Sequence, residues 1–291
     1  MKVLNIGSLN YDYVYQVNHI VREGETILSD DMQTFCGGKG LNQSIALAKA
    51  GIKVFHAGLV GEEGTLLLDT CKEFGVDTSL IQRIAGKSGH TIIQVDKKAQ
   101  NSILLFGGAN QSLTREMIER WIAQFSAGDL LLLQNEVNEL PFIIEAASQR
   151  GLFIALNPSP FNEKLLACDL SKVSLFLLNE IEGEQISGEK DANRMLAVLG
   201  ERYPEAKVIL TLGERGSIYY ERNEMIQQGI FPAKAVDTTA AGDTFTGYFI
   251  ASMIEGLLPQ RCLEIASYAS SLAVSRMGAV SSIPMRSEVI L

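Results

Sequence analysis

The residues of this chain best placed to do chemistry run from Asp237 to Gly247, reading Asp-Thr-Thr-Ala-Ala-Gly-Asp-Thr-Phe-Thr-Gly. Ala240, Ala241 and Gly242 are small enough for backbone to approach a ligand closely, and Phe245, Phe249 and Met253 follow at helical spacing, so a helix begins here. The first turn of a helix offers unpaired N–H groups and a partial positive charge, together a seat for phosphate. Asp243 stands beside that seat. Like charge makes it a poor holder of phosphate but a well-placed acceptor for the proton of a hydroxyl that attacks one. The chemistry implied is phosphoryl transfer; the competing structural reading is an Asp N-cap after a tight turn of small residues.

A second group lies roughly two hundred residues earlier. Gly37-Gly38-Lys39-Gly40 is too glycine-rich for a stable helix or strand interior, and Asn42 is expected to open a helix running through Ala46, Ala48 and Ala50 to Gly51. The small residues let backbone N–H groups meet a polyhydroxylated ligand. A dinucleotide fingerprint fails because Gln43 stands where its third glycine belongs, and a Walker loop fails at Gly86-Lys87-Ser88 because Ile81 replaces its first glycine.

The elements that must position these groups follow the order of the chain. Val3 to Ile6 is a short strand, and Asn10 to Val17 is rich in β-formers. Asn10 and Asp12 fall just past a strand end, where open α/β sheets bind ligands; as isolated residues they read as turn formers. Lys53 to Gly58 reads as a strand and Glu62 to Phe74 as a helix. Thr91 to Asp96 and Ser102 to Phe106 form a hairpin. From Thr114 helices and strands alternate regularly, which implies a parallel sheet covered on both faces. Polar groups cluster after the strand ends, at Gln134-Asn135-Glu136, Asn157-Pro158 and Asn179-Glu180-Ile181-Glu182. Asn179 and Glu182 share a helix face or cap that helix. Thr211-Leu212-Gly213-Glu214-Arg215-Gly216 turns into a hairpin of Ser217 to Tyr220 and Met225 to Ile230, and a last helix spans Gln260 to about Ser275.

Asp-Thr-Thr-Ala-Ala-Gly-Asp and Gly-Gly-Lys-Gly-Leu-Asn-Gln resemble the two signatures of the ribokinase family of carbohydrate kinases, in the right order, and the likeness extends from about Asn5 to Pro284. The resemblance implies a Rossmann-like α/β fold, one kinase domain over 1–291, with a small β-sheet lid built from about 11–36 and 88–107 that closes over the sugar and pairs with a second subunit as a homodimer. The implied reaction phosphorylates the primary hydroxyl of a pentose with ATP, D-ribose to D-ribose 5-phosphate. A nucleoside or other sugar kinase of the same family and a non-catalytic sugar-binding regulator are the alternatives.

Carried over residue by residue, the family's sugar contacts fall on Asn10, Asp12, Gly38, Lys39, Gly40, Asn42 and Glu136, with Gln134 and Asn135 as competitors for the last role. Its nucleotide contacts fall on Asn179, Thr211, Gly213, Gly216 and Gly242, and catalysis on Asp243 with the turn Ala240, Ala241 and Gly242. Glu182 matches a position associated with hydrated Mg²⁺, and Asp237, Thr239, Ala273, Arg276, Gly278 and Ser282 match a K⁺ loop. Tyr11, between Asn10 and Asp12, and His90 are larger or more polar than the family's usual residues and are expected to narrow the sugar pocket or favour a different pentose.

Composition excludes other classes. The chain has 291 residues, 46% of them hydrophobic, enough for a sizeable core. Lys plus Arg is 25 against 34 Asp plus Glu, a formal charge of −9, which argues against a nucleic-acid surface. Four dispersed cysteines without Cys-x-x-Cys spacing imply reduced thiols and no structural zinc. No apolar run approaches the length of a membrane span, and the chain is expected in the cytoplasm.

Overall fold

The structure, a computed structural model, describes residues 1–98 and 100–291. Its strands are β1 (Val3–Ile6), β2 (Asn10–Gln16), β3 (Asp31–Gly37), β4 (Val54–Val60), β5 (Asp77–Arg83), β6 (Gly89–Val95), β7 (Asn101–Phe106), β8 (Leu130–Gln134), β9 (Phe153–Asn157), β10 (Leu175–Asn179), β11 (Lys207–Thr211), β12 (Ser217–Glu221) and β13 (Glu224–Gln228). The helices are α1 (Lys39–Lys49), α2 (Thr65–Glu73), α3 (Arg115–Ile122), α4 (Leu140–Gln149), α5 (Glu180–Ser187), α6 (Ala192–Arg202), α7 (Ala241–Ile254) and α8 (Pro259–Val274).

The large sheet runs β13-β12-β11-β10-β9-β8-β1-β4-β5, parallel from β11 to β5 and antiparallel only in the β11-β12-β13 meander. Its central strands read as continuous apolar runs because both faces are covered. Val3, Leu41, Ile45, Phe249 and Leu263 belong to the core on the side of α1, α7 and α8, whereas Leu4, Trp121, Ile143, Met195 and Leu196 form the core on the side of α3 to α6. Alternation along β1 therefore leaves Asn5, a fully buried polar residue, facing α1.

The second sheet runs β3-β2-β6-β7, with β2 parallel to β6 and antiparallel to β3. It stands over the C-terminal ends of the large sheet as the expected lid. Strand alternation gives it two faces. Asp12, Val14, Thr91, Ile93, Ile103 and Leu105 face the cleft below. Ile92, Leu104 and Phe106 point the other way and are 38%, 67% and 51% exposed.

Helix α1 begins at Lys39, three residues ahead of the expected start at Asn42. Gly38 precedes it at φ 92°, and the first N–H of the helix, that of Lys39, is capped from a distant strand end by Glu136. Two segments that sequence patterning passed over complete the large sheet and its cover: edge strand β5 and helix α6. Gly247 lets α7 cross α1 closely, since a Cβ there would lie 2.4 Å from that of Ala46. This crossing brings the first turns of the two helices together.

Candidate functional site

A cleft of about 1300 Å³ runs between the lid and the large sheet. Asn10, Asp12, Gly38, Lys39, Asn42 and Glu136 line it, as do Asn179, Glu182, Thr211, Asp237, Thr239 and Gly278, together with Ala240, Gly242 and Asp243. Residues from both signatures and from four strand ends thus meet in one place. Gly40, Ala241, Gly213, Gly216, Ala273, Arg276 and Ser282 do not line it; Gly213 and Gly216 shape the turn after Thr211, and Arg276 pairs on the surface with Glu288.

Asp243 is buried in the first turn of α7. Asn42 Nδ2 donates to its Oδ2 at 3.0 Å and Gln43 Nε2 to its Oδ1 at 2.8 Å, so both oxygens are held as acceptors while each keeps a lone pair. Ala240 adopts a left-handed backbone, φ 59°, that turns the chain into the helix. The Ala241 N–H is spent on the Thr238 carbonyl and that of Thr244 on Ala240. The N–H groups of Gly242 and Asp243 have no partner among the described residues, so the anion seat is narrower than the four-residue turn suggested.

Of Gln134, Asn135 and Glu136 at the end of β8, Glu136 is the one that lines the cleft. Its Oε2 accepts from the Lys39 N–H at 2.9 Å and from Ser8 Oγ. Gln134 turns inward, and Asn135 donates to the Pro160 carbonyl at 2.7 Å. Burial raises the Glu136 pKa, against the pull of Lys39 and Ser8. Burial works against the Lys39 ammonium, but the carboxylates of Asp243, Glu136 and Glu182 outweigh it and leave its pKa above the usual value. A cation on the cleft wall is thereby kept charged. Gly40 carries no Cβ because one would sit 2.3 Å from the Ser8 nitrogen.

Asp12 reaches the cleft from β2, and its Oδ1 accepts from Thr91 Oγ1 at 2.6 Å. Burial raises its pKa, and the Thr91 hydrogen bond opposes that. Asn10 is buried and its Oδ1 accepts from Asn110 Nδ2 at 2.7 Å; Asn110 in turn accepts from the Leu9 N–H at 3.0 Å. Asn110 therefore fixes which way the Asn10 amide points, a role not evident from Gly108-Ala109-Asn110 as a string. Neither Tyr11 nor His90 narrows the pocket. They pair across β2 and β6 on the face away from the cleft, where Tyr11 donates to the Glu63 carbonyl at 2.8 Å and His90 packs on Phe106.

Asn179 and Glu182 form a reciprocal cap on α5. Asn179 Oδ1 accepts from the Glu182 N–H at 3.0 Å, while the Glu182 carboxylate accepts from the Asn179 N–H at 2.8 Å and from its Nδ2 at 3.0 Å. Each Glu182 oxygen thus accepts one hydrogen bond within the cap and keeps one lone pair. Among the described residues there is no group of three His, Cys, Asp or Glu side chains able to cage a metal. Asp237 joins two loops: its Oδ1 accepts from the Thr239 N–H and its Oδ2 from the Gly278 N–H, both at 2.9 Å. Burial alone would raise its pKa, but these bonds hold it below the usual carboxylate range.

A cleft that joins a helix-terminal carboxylate and two unpartnered N–H groups to polar residues of the lid and of the strand ends suits phosphoryl transfer to a small molecule. The model of the pfkB family carbohydrate kinases matches residues 1–286, and the chain belongs to that family. It is similar to a ribokinase of Haemophilus influenzae, 32% identical over 98% of this chain and 96% of the other. A ribokinase of Cryptococcus neoformans solved in complex with ADP superposes with a TM-score of 0.86, at 30% identity over 99% of this chain and 98% of that one. A ribokinase of Arabidopsis thaliana complexed with ribose and ATP superposes at 0.85, with 29% identity over 99% and 97%.

Proposed function

We propose that this carbohydrate kinase transfers the γ-phosphoryl group of ATP to the primary hydroxyl of a pentose, converting D-ribose to D-ribose 5-phosphate. The observation that carries the reading is that Asp243 shares one cleft with Asn10, Asp12, Lys39 and Glu136 and with Asn179 and Thr211. In this reading sugar hydroxyls are held by the first group, through its acceptors and the Lys39 ammonium, and nucleotide by the second. Asp243 takes the proton of the attacking hydroxyl, and the Gly242 and Asp243 N–H groups receive charge on the transferring phosphoryl. In a loose transition state the hydroxyl loses its proton late, so aim matters more than basicity.

Mg²⁺ fits as a companion of the nucleotide, hydrated and facing Glu182 through water, where it would offset phosphate charge. K⁺ is assigned to the Asp237 to Gly278 loop pair, which the Asp237 carboxylate ties together at the cleft. The exposed apolar outer face of the lid supports a homodimer in which two lids pack together. Among the described residues no helix is long and apolar enough to cross a membrane, and the free cysteines suit a reducing compartment, the cytoplasm. The reading is tested by a panel of pentoses, hexoses and nucleosides assayed for ATP-dependent phosphorylation. Ribose is expected to give the highest kcat/KM, and preference for a nucleoside would move the chain elsewhere in the family.

A further inference from the structure

Asp243 sits at the end of a chain of buried amides whose direction is set at the other end. Asn5 Nδ2 donates to the Gly40 carbonyl and to Ser44 Oγ, each at 2.8 Å. A backbone carbonyl only accepts, so the Asn5 nitrogen must face it and Asn5 Oδ1 must face the other way. Gln134 Nε2 donates to that Oδ1 at 3.2 Å and to Gln43 Oε1 at 2.6 Å. Gln43 is then obliged to present its own nitrogen to Asp243. Behind Asn5 the order continues: His56 Nε2 meets the Gly7 carbonyl at 3.2 Å, so its Nδ1 accepts the Ser44 proton at 2.8 Å and frees a Ser44 lone pair for Asn5.

Two further observations show that this direction is enforced. Asn5, Gln43 and Gln134 have no exposed surface, so no bulk water can stand in for a missing donor. Gln134 Oε1 and Asn42 Oδ1 are buried without any hydrogen-bond partner. Turning Gln134 over would set its oxygen against those of Asn5 and Gln43, acceptor against acceptor, and turning Asn42 over would set oxygen against the carboxylate. Both amides tolerate an unpaired oxygen so that nitrogen points along the chain toward Asp243.

We propose that Gln43 is a positioning residue, oriented by Gln134 and Asn5, that locks the Asp243 carboxylate in its ionised, acceptor-only state and in one rotamer for proton removal. The proposal rests on the reading of Asp243 as the base. It gives Gln134, which does not touch Asp243, a directional influence on it.

The test compares Gln43→Met, Gln134→Met, Gln134→Glu and Asp243→Asn for kcat, sugar KM, thermal midpoint and the pH profile of turnover. Asp12, Lys39, Glu136, Glu182 and Asp237, the charged groups that line the cleft with Asp243, are unchanged in all four. Losing a donor to an anion predicts a fall in kcat on the order of 10- to 100-fold for Gln43→Met, with little change in sugar KM and the acid limb of the profile moved to higher pH. In Gln134→Glu the introduced carboxylate accepts only, so Gln43 turns its nitrogen away and its oxygen toward Asp243. This variant is therefore expected to lose more turnover than Gln134→Met, which removes the same bonds but dictates no direction. Equal losses in the two position-134 variants, tracking thermal midpoint with an unmoved acid limb, would reduce the chain to scaffolding and overturn the proposal. Should Gln134→Glu not fold, the acid limb of Gln43→Met decides alone: moved, it supports the proposal; unmoved, it refutes it. Near-normal turnover in Asp243→Asn would instead remove the base itself, an outcome distinct from the others.

Discussion

Gln43 Nε2 donates to Asp243 Oδ1 at 2.8 Å across a sequence separation of 200 residues, and its neighbour Asn42 holds the second oxygen. Asp243→Asn would put an N–H against one of these two donors, costing about 1–3 kcal/mol of stability, while leaving the backbone anion seat in place. Turnover is expected to fall about 10²- to 10⁴-fold with ATP affinity nearly unchanged. Steady-state kinetics with a nucleotide-binding measurement on the same variant check both halves.

Asp12 faces the cleft from a strand of the lid, where the proposed function has it hold sugar. Asp12→Ala is expected to raise the sugar KM by at least about tenfold, since a hydrogen bond to a charged acceptor is worth roughly 1.5–3 kcal/mol. The KM for ATP should stay within about twofold. A matching rise in both would place Asp12 outside the sugar site.

His56 is fully buried, and burial pushes its pKa down to about 4. Between pH 6.5 and 4 the unfolded chain binds a proton that the folded chain refuses, so stability is full above the first value and is lost as pH falls toward the second. The loss is on the order of 3 kcal/mol. Denaturant unfolding at several pH values should show this slope in the wild type and its absence in His56→Gln. A slope that survives the substitution would assign acid sensitivity to other groups.

Potassium is expected to activate turnover selectively over sodium and an organic cation at constant ionic strength, which holds screening of the −9 charge fixed. Asp237→Ala should abolish the selectivity. The competing account is that Asp237 only ties Thr239 to Gly278, as its two hydrogen bonds would suffice to do. Equal rates in the three salts would establish that account.

If two lids pack together, Leu104→Glu should convert a sedimenting dimer to monomer at micromolar concentration. Leu104 is 67% exposed in the single chain and points away from the cleft, so loss of fold is not the expected result. A monomeric wild type would remove the dimer from the proposal.

Much of the architecture was readable because it depends on local patterning. Apolar runs marked the parallel strands, and Asp237 to Gly247 announced a helix-terminal carboxylate. What was not readable depends on partners far along the chain. Helix α1 starts at Lys39 because Glu136, 97 residues away, accepts its first N–H, which no rule of local propensity can register. Gln43 was visible as the end of a family signature and as the residue that spoils a glycine fingerprint, but not as a direct partner of Asp243. Tyr11 was misjudged by size alone: strand alternation decides which face it occupies, and the pleat turns it away from Asn10 and Asp12.

Helix α1 carries Lys39 at its first residue and Lys49 at its last, about 15 Å apart. At one end Lys39 lines the cleft, in its second turn the helix reaches Asp243, and at the other end Lys49 Nζ donates to the carbonyls of Val280 and Ile283 at 2.9 and 2.8 Å. The segment that follows α8 and the sugar pocket are therefore attached to one stiff rod. A ligand that draws the 276–284 segment into a different position acts on the sugar site by the same free energy with which sugar acts back on it, so measuring either affinity with and without the other ligand reads the strength of one mechanical linkage.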